Sequence, residues 1–183
     1  VRVRSATVRL ALPEITDEGR TFTFRIRPGI FFADDPAFKG RPRELVAQDY
    51  VYTVKRYYDP RNNSENLYLF ENAGLLGLSE LRERAIKDKA PFDYDTEIEG
   101  IRALDRYTVQ FKIEEPRPRF IETLAANDLF GAQAREVVEK YGDDIPAHPV
   151  GTGPFKLTQW RRSSLIVLER NPDYREMTYD AEP

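Results

Sequence analysis

The chain has 183 residues, of which 40% are hydrophobic and 32% are charged, a composition typical of one soluble globular domain with its own core. Its 28 basic and 31 acidic residues leave a net charge of -3, which favours neither nucleic acid nor an anionic membrane as a partner. The absence of cysteine excludes disulfides, thiolate chemistry and cysteine-based zinc sites. No apolar run reaches the ~20 residues of a membrane helix, and Val1 to Arg4 do not resemble a signal peptide.

The first third of the chain predicts a hairpin, a loop and a helix. Two strands with alternating polarity are expected around a turn at 17–20, with apolar positions at Val8, Leu10, Leu12, Phe22, Phe24 and Ile26. A short strand at 30–32 and a polar loop at 34–42 follow. A helix should then run from Ala47 to Tyr58, because its apolar residues recur every three to four positions before Asp59-Pro60 stops it.

The middle of the chain predicts further helices and strands in alternation. Ser79 is a candidate N-cap for a helix that ends near Lys89, and residues 107–113 alternate strictly as a strand. Helices are expected at 120–125 and at 132–141, where Gly142 has the position of a C-cap. Because strand pairs are joined by short turns, the predicted class is α+β with a mixed, largely antiparallel sheet and packed helices.

Residues 150–174, VGTGPFKLTQWRRSSLIVLERNPDY, predict a glycine-rich turn and a hairpin. The turn at Gly151–Pro154 runs into a strand, and a second strand stops at Asn171-Pro172. Phosphate loops are followed by a helix, so an alternating strand after Pro154 argues against phosphate binding. Two interpretations remain open for this turn: a tight turn that needs the backbone freedom of glycine, or a contact with a ligand.

Three blocks of sequence together resemble the extracellular solute-binding proteins of family 5, the peptide receptors of ABC importers. These blocks are TFTFRIRPGIFF at 21–32 with the helix AQDYVYTVKR at 47–56, the strand pair at 98–113, and the segment at 150–174. The longer acidic loop after the first block and Val46 before the helix depart from the family pattern, as does Arg175 in place of an aromatic residue.

The resemblance implies the first lobe of a two-lobed, type II-like periplasmic binding protein. It predicts hairpins and a loop at 1–46, an inserted helical and β-hairpin region at 47–149, and a segment at 150–183 that returns toward a hinge. Family members are far longer, so the second lobe, which supplies most of the charges that pair with peptide termini, is expected to lie outside these residues. A fragment of this kind is expected to bind ligand weakly or not at all.

The resemblance also implies a function without bond-making chemistry. The expected ligand is a peptide or a related small solute, delivered to an ABC permease in the membrane by a monomeric periplasmic or extracellular protein. The expected solute contacts are Gly151, Thr152, Gly153 and Phe155, on the cleft side of the turn. No catalytic residue, metal ligand or cofactor is expected, because the only histidine, His148, has no partner and the Asp34-Asp35 and Asp143-Asp144 pairs lie in polar loops.

Other interpretations use the same residues. Trp160 fits a core position better than a ligand-stacking one. The tyrosines around Lys55 and Arg56 could form a nucleic-acid platform, but their helical spacing is explained by packing. At the level of the whole protein, the alternatives are a sensing domain of a transcriptional regulator with the same fold, or an interaction domain without a small ligand.

Overall fold

A computed structural model describes residues 12–125 and 130–175. Within these ranges the chain divides into two compact units. We call the first, residues 12–26, 46–125 and 130–133, the sheet unit, and the second, residues 27–45 and 134–175, the turn unit. The predicted strand positions Val8 and Leu10 lie outside the described residues.

The sheet unit combines a four-stranded antiparallel sheet with helices. The sheet order is β1-β2-β4-β3, so the α+β class with an antiparallel sheet is confirmed. The strands are β1 (Glu14–Thr16), β2 (Thr21–Arg25), β3 (Ile101–Asp105) and β4 (Thr108–Lys112). The helices are α1 (Ala47–Tyr58), α2 (Leu67–Ala73), α3 (Leu78–Asp88) and α4 (Phe120–Ala125).

Pairing of β2 with β4 builds the core of the sheet unit. The register places Phe22 opposite Phe111 and Phe24 opposite Val109, and all four side chains are buried. The Phe111 ring lies 5.7 Å from Phe24 and also 5.7 Å from the α4 residue Phe120, both edge to face. Aromatic pairs of this geometry contribute about 0.5–1.5 kcal/mol each beyond the burial of their area. The apolar stripe of α1 covers the sheet at β3 and β4.

Several sequence predictions are confirmed in the sheet unit. Helix α1 has the predicted bounds, and the backbone N–H of Val46 donates to Asp49 Oδ2 at 2.8 Å, so Asp49 caps the helix start although Val46 has no polar side chain. The strand predicted at 107–113 is β4. With 12 residues, α1 is the longest helix in the described ranges, and none of their helices is both long and apolar enough to cross a membrane.

Other predictions were wrong in detail. Ser79 does not cap α3, because the helix already begins at Leu78, after Gly77 in a left-handed conformation. Helix α2, which has seven residues, was not predicted from the sequence. The residue that anchors it, Phe70, is fully buried, and its ring lies 4.7 Å from Tyr57 of α1. A helix of seven residues is not stable by itself in water, so α2 depends on that packing. Its sequence carries little periodic signal, which is why it was not predicted.

Gly100 marks the closest approach between two segments of the sheet unit. The Gly100 N–H donates to the Leu76 carbonyl at 2.8 Å, and the Gly100 carbonyl accepts from the Lys112 N–H at 3.0 Å. A Cβ at this position would lie 2.4 Å from the Leu76 oxygen and 2.6 Å from the Leu76 nitrogen. Any larger residue therefore has to push apart two hydrogen-bonded backbone segments.

Gly100→Ala is expected to lower the free energy of unfolding by about 3 kcal/mol, because the added methyl group meets rigid backbone. Urea denaturation followed by circular dichroism measures the change. Gly131→Ala is the matched control, since nothing lies within 4 Å of a Cβ there. Equal midpoints for the two variants would contradict the steric explanation.

A buried polar network holds the loop at 90–96 against α1. The Lys55 side chain, 2% exposed, donates through Nζ to the carbonyls of Tyr94 at 2.8 Å and Thr96 at 2.6 Å. The carboxylate of Asp59, 1% exposed, accepts from the Tyr94 hydroxyl at 2.7 Å and from Arg61 Nη2 at 3.0 Å. Burial by itself would raise the pKa of the Asp59 carboxyl, but the hydrogen bonds from Arg61 and Tyr94 hold that pKa below its usual value.

This network predicts a loss of stability in acid. A carboxyl whose pKa is lower in the folded state contributes stability above its unfolded pKa, and that contribution is lost as the pH falls from about 4 through the folded value. Asp59→Asn should therefore make the free energy of unfolding fall less steeply between pH 5 and pH 2. Tyr94→Phe keeps the carboxylate and removes one donor, so it should give an intermediate slope in urea denaturation. An unchanged slope in Asp59→Asn would show that this carboxyl does not supply the acid sensitivity.

The turn unit contains helix α5 and a two-stranded ribbon. Helix α5 spans Arg135–Tyr141, and strands β5 (Phe155–Arg161) and β6 (Leu165–Arg170) pair antiparallel. The predicted hairpin after the glycine-rich turn is therefore confirmed, as is Gly142 at the end of α5. The strand predicted at 30–32 is reduced to a single bridge between Phe31 and Glu44, and a short 3-10 helix occupies Gly142–Ala147.

Candidate functional site

The backbone carbonyls of the turn at Gly151–Pro154 all accept hydrogen bonds from within the turn unit. Ala33 N–H donates to the Gly151 carbonyl at 2.9 Å, and Arg175 Nη1 donates to the Thr152 carbonyl at 3.3 Å. Both remaining carbonyls, of Gly153 and Pro154, are bound by Asn171. The turn is thus fixed in one orientation by groups that are distant from it in sequence.

Asn171 is the residue that clamps the turn. It is 3% exposed, its Nδ2 donates to the Gly153 carbonyl at 3.2 Å, and its backbone N–H donates to the Pro154 carbonyl at 2.8 Å. Its Oδ1 accepts from the Asp173 N–H at 3.2 Å, so both ends of the buried amide are used. A buried amide with every group bonded orients its neighbours at little desolvation cost.

The glycines of the turn are not required by its backbone conformation. The φ angles of Gly151 and Gly153 lie outside the left-handed region, so an L-residue could adopt them without strain. Among the residues that the structure describes, nothing lies within 4 Å of a Cβ at Gly151, and at Gly153 the nearest atom, the Phe155 oxygen, is an ordinary contact at 3.9 Å. The interpretation as a tight turn that needs glycine freedom was therefore wrong, and the backbone of Gly151 is open to approach.

The loop that supplies Ala33 is held by helix α5. Arg43 Nε donates to Glu136 Oε1 at 2.8 Å, and the Tyr141 hydroxyl donates to Asp35 Oδ2 at 2.9 Å. Burial would raise the pKa of the Glu136 carboxyl, but the hydrogen bond from Arg43 holds it below its usual value. Partial burial and the hydrogen bond to Asp35 raise the pKa of Tyr141. Both contacts therefore favour the charge states found at neutral pH.

The ribbon that follows the turn exposes an apolar face. The pairing register puts five apolar side chains on one face of β5 and β6: Phe155, Leu157, Trp160, Ile166 and Leu168. Phe155 is 62% exposed and Trp160 is 42% exposed, so the prediction that Trp160 is a core residue was wrong. Phe155 thus presents an accessible aromatic ring one residue beyond the turn.

The structure also tests the alternative readings of the sequence. Strand β5 follows Pro154, which excludes the strand–loop–helix arrangement of a phosphate loop. A nucleic-acid platform on α1 is wrong as well, because Lys55 is buried against backbone carbonyls while Tyr52 and Tyr58 lie in the core. Both residues of the first acidic pair behave as loop residues, with Asp34 exposed and Asp35 bound to Ala37 N–H and Tyr141.

Metal-binding side chains are scattered in the described part of the chain. Within these ranges, no group of three or more His, Asp or Glu side chains is arranged to hold a metal ion. His148 is exposed and stacks on the Tyr141 ring, with the ring centroids 3.9 Å apart and an interplanar angle of 7°. Its position is explained by this stacking contact.

The predicted contacts Gly151, Thr152, Gly153 and Phe155 lie in the turn and at the first residue of β5, and their role in binding stays a prediction. Sequence reasoning missed three residues that position them: Ala33, Asn171 and Arg175. Asn171-Pro172 was interpreted only as the end of a strand. The one local signal for this role was an amide residue between a strand and a proline. The residues that Asn171 binds in the turn, Pro154 and Gly153, lie 17 and 18 positions earlier in the sequence.

Solved structures show which class of protein has this fold. An oligopeptide-binding protein of Borrelia burgdorferi superposes with a TM-score of 0.71 at 25% identity, covering 91% of this chain and 30% of that one. The OppA protein of Burkholderia pseudomallei superposes with a TM-score of 0.67 at 27% identity, covering 91% of this chain and 29% of that one. The fold is that of periplasmic peptide-binding proteins.

Sequence comparison gives the family. The model for bacterial extracellular solute-binding proteins, family 5 middle region, matches residues 7–182. The chain therefore belongs to family 5 of the bacterial extracellular solute-binding proteins, as its sequence blocks predicted.

Named relatives are similar along most of this chain. Di/tripeptide-binding protein 2 of Pseudomonas aeruginosa is 30% identical over 93% of this chain, and the dipeptide-binding protein of Escherichia coli is 29% identical over 84%. A probable deoxycholate-binding periplasmic protein of Escherichia coli is 32% identical over 89%. The chain spans between 26% and 30% of the lengths of these relatives.

Asn171→Ala is expected to lower the free energy of unfolding by about 1–3 kcal/mol, because the Gly153 carbonyl loses its donor and the Asp173 N–H loses its acceptor. Chemical denaturation measures the difference. Asp173→Ala is the control, since Asp173 is exposed and its backbone N–H remains in place. A loss as large in the control as in Asn171→Ala would contradict the clamp.

Proposed function

We propose that this chain forms part of the substrate-binding component of an ABC importer. The observation that carries the proposal is the match over residues 7–182 to a family of extracellular solute-binding proteins, several of whose members are named for peptides. The protein captures its solute outside the cytoplasmic membrane, as a monomer in the periplasm or at the cell surface, and delivers it to a membrane permease. No step of this cycle makes or breaks a covalent bond.

The proposed solute is a peptide or a related small molecule. Relatives named for dipeptides and tripeptides support the peptide, while the relative named for deoxycholate keeps the broader class open. Binding uses two lobes that close around the solute, so that the solute favours the closed state over the open one. This chain supplies one side of that site through Gly151, Thr152, Gly153 and Phe155.

The turn supports this assignment through its accessibility. Gly151 and Phe155 are exposed, and Thr152 and Gly153 are partly exposed, while the carbonyls behind them are bonded into the turn unit. Backbone groups recognise what every peptide shares, its main chain, and leave side-chain identity free. A site of this type suits a receptor that accepts many sequences.

Isothermal titration with di- and tripeptides tests the proposal in two arms. A polypeptide of the relatives' length that contains these residues should bind peptides with micromolar or tighter affinity, because both sides of the site are present. The 183-residue chain titrated by itself should give no measurable heat, since one side of a cleft forms too few contacts. The absence of peptide binding in the longer polypeptide would contradict a peptide as the solute. Micromolar binding by the isolated chain would contradict the two-lobed site.

A further inference from the structure

The turn at Gly151–Pro154 has its acceptors occupied and its donors open. Each of its four carbonyls already accepts a hydrogen bond from Ala33, Arg175 or Asn171. Within residues 12–125 and 130–175, the N–H groups of Gly151, Thr152 and Gly153 donate to no acceptor. The unused hydrogen-bonding capacity of this backbone therefore consists mainly of three consecutive donors. Backbone donors arranged in succession are a recurrent way to bind an anion or a carbonyl oxygen.

The missing side chains at Gly151 and Gly153 have a related explanation. Glycine is otherwise required for a left-handed conformation or for close packing inside the protein, and neither applies at these two positions. A third physical reason for glycine is the close approach of a group from outside to the backbone. At Gly151 none of the described residues lies within 4 Å of the position of a Cβ, so this side of the backbone is open to an incoming group.

We infer that the N–H groups of Gly151, Thr152 and Gly153 bind a carbonyl-type oxygen of the solute. This inference deepens the proposed function and rests on it, because it takes the turn as part of the solute site. Two sources share this chemistry: an uncharged carbonyl of a peptide main chain and a terminal carboxylate. The Arg175 guanidinium, which donates to the Thr152 carbonyl, places a positive charge at the turn and favours the carboxylate.

Ala33, Arg175 and Asn171 together position the turn that carries these donors. The Ala33 N–H holds the Gly151 carbonyl at 2.9 Å and Arg175 Nη1 holds the Thr152 carbonyl at 3.3 Å, which fixes the opposite direction for the N–H groups of Thr152 and Gly153 in the same peptide units. The Asn171 side chain and backbone N–H hold the next two carbonyls, of Gly153 and Pro154, at 3.2 and 2.8 Å. Asn171→Asp replaces the donor to the Gly153 carbonyl with a carboxylate oxygen. That variant should release the turn and weaken oxygen binding in any form that folds.

The experiment follows the backbone amides of the 15N-labelled 183-residue chain by NMR. Acetate is the carboxylate probe, N-acetylglycine N-methylamide is the uncharged carbonyl probe, and tetramethylammonium chloride at matched ionic strength is the control for salt. At least one oxygen probe should shift the amide protons of Gly151, Thr152 and Gly153 downfield in a saturable way. We expect acetate to bind several-fold more tightly than the uncharged amide, because of Arg175.

Gly151→Ala is the decisive variant, because it keeps the N–H group and fills the open space with a methyl group. The affinity for the oxygen probe should fall several-fold while the thermal midpoint stays unchanged, since the new Cβ meets nothing within 4 Å. Gly131→Ala, which also adds a Cβ in open space but in the sheet unit, should leave the probe affinity unchanged.

Two results with the 183-residue chain would overturn the inference. One is the absence of shifts at the three amides with both oxygen probes, or shifts that tetramethylammonium chloride reproduces. The other is an unchanged affinity in Gly151→Ala. Peptide binding by the longer polypeptide that leaves these three amides unshifted would overturn the inference and leave the proposed function intact. Saturable shifts with acetate, together with no peptide binding by the longer polypeptide, would support the inference and contradict the peptide as the solute.

Discussion

Buried polar side chains that bind backbone groups hold the irregular parts of this protein in place. Asp49 accepts a hydrogen bond from the Val46 N–H at the start of α1, and Lys55 donates to two carbonyls of the loop at 90–96. Asn171 binds the carbonyls of the turn at residues 153–154. Backbone outside helices and sheets must still satisfy its N–H and C=O groups when it is shielded from water. Each of these side chains meets that requirement from inside the unit it belongs to.

This constraint bears on the proposed solute contacts in the turn unit. Since Ala33 and Arg175 bind the carbonyls of Gly151 and Thr152, the N–H groups of Thr152 and Gly153 in the same peptide units point away from these partners. The direction of a few hydrogen bonds thereby determines whether the turn recognises donors or acceptors. Neutral backbone donors hold a solute oxygen less firmly than an ion pair does, which suits a receptor that binds a solute and then releases it.

The two units bury their apolar side chains to different extents. In the sheet unit, the rings of Phe22, Phe24, Phe111 and Phe120 pack between the sheet and its helices and are all buried. In the turn unit, the ribbon of β5 and β6 leaves Phe155, Trp160 and Ile166 exposed. A two-stranded ribbon is marginally stable in water by itself, so the bonds from Asn171 and Arg175 matter more there than comparable bonds do in the sheet unit.

Local periodicity in the sequence determined helix α1, strand β4 and the β5–β6 hairpin, because the spacing of their apolar residues requires no distant partner. It also determined the family, through sequence blocks that stand in order along the chain. The tertiary structure decided the remaining features: α2 forms because Phe70 finds Tyr57, and Gly100 is required because Leu76 approaches it within hydrogen-bond distance. It likewise decided that Gly151 and Gly153 are not needed for backbone freedom. These features depend on contacts between residues far apart in sequence, and a local pattern of residues carries no record of such contacts.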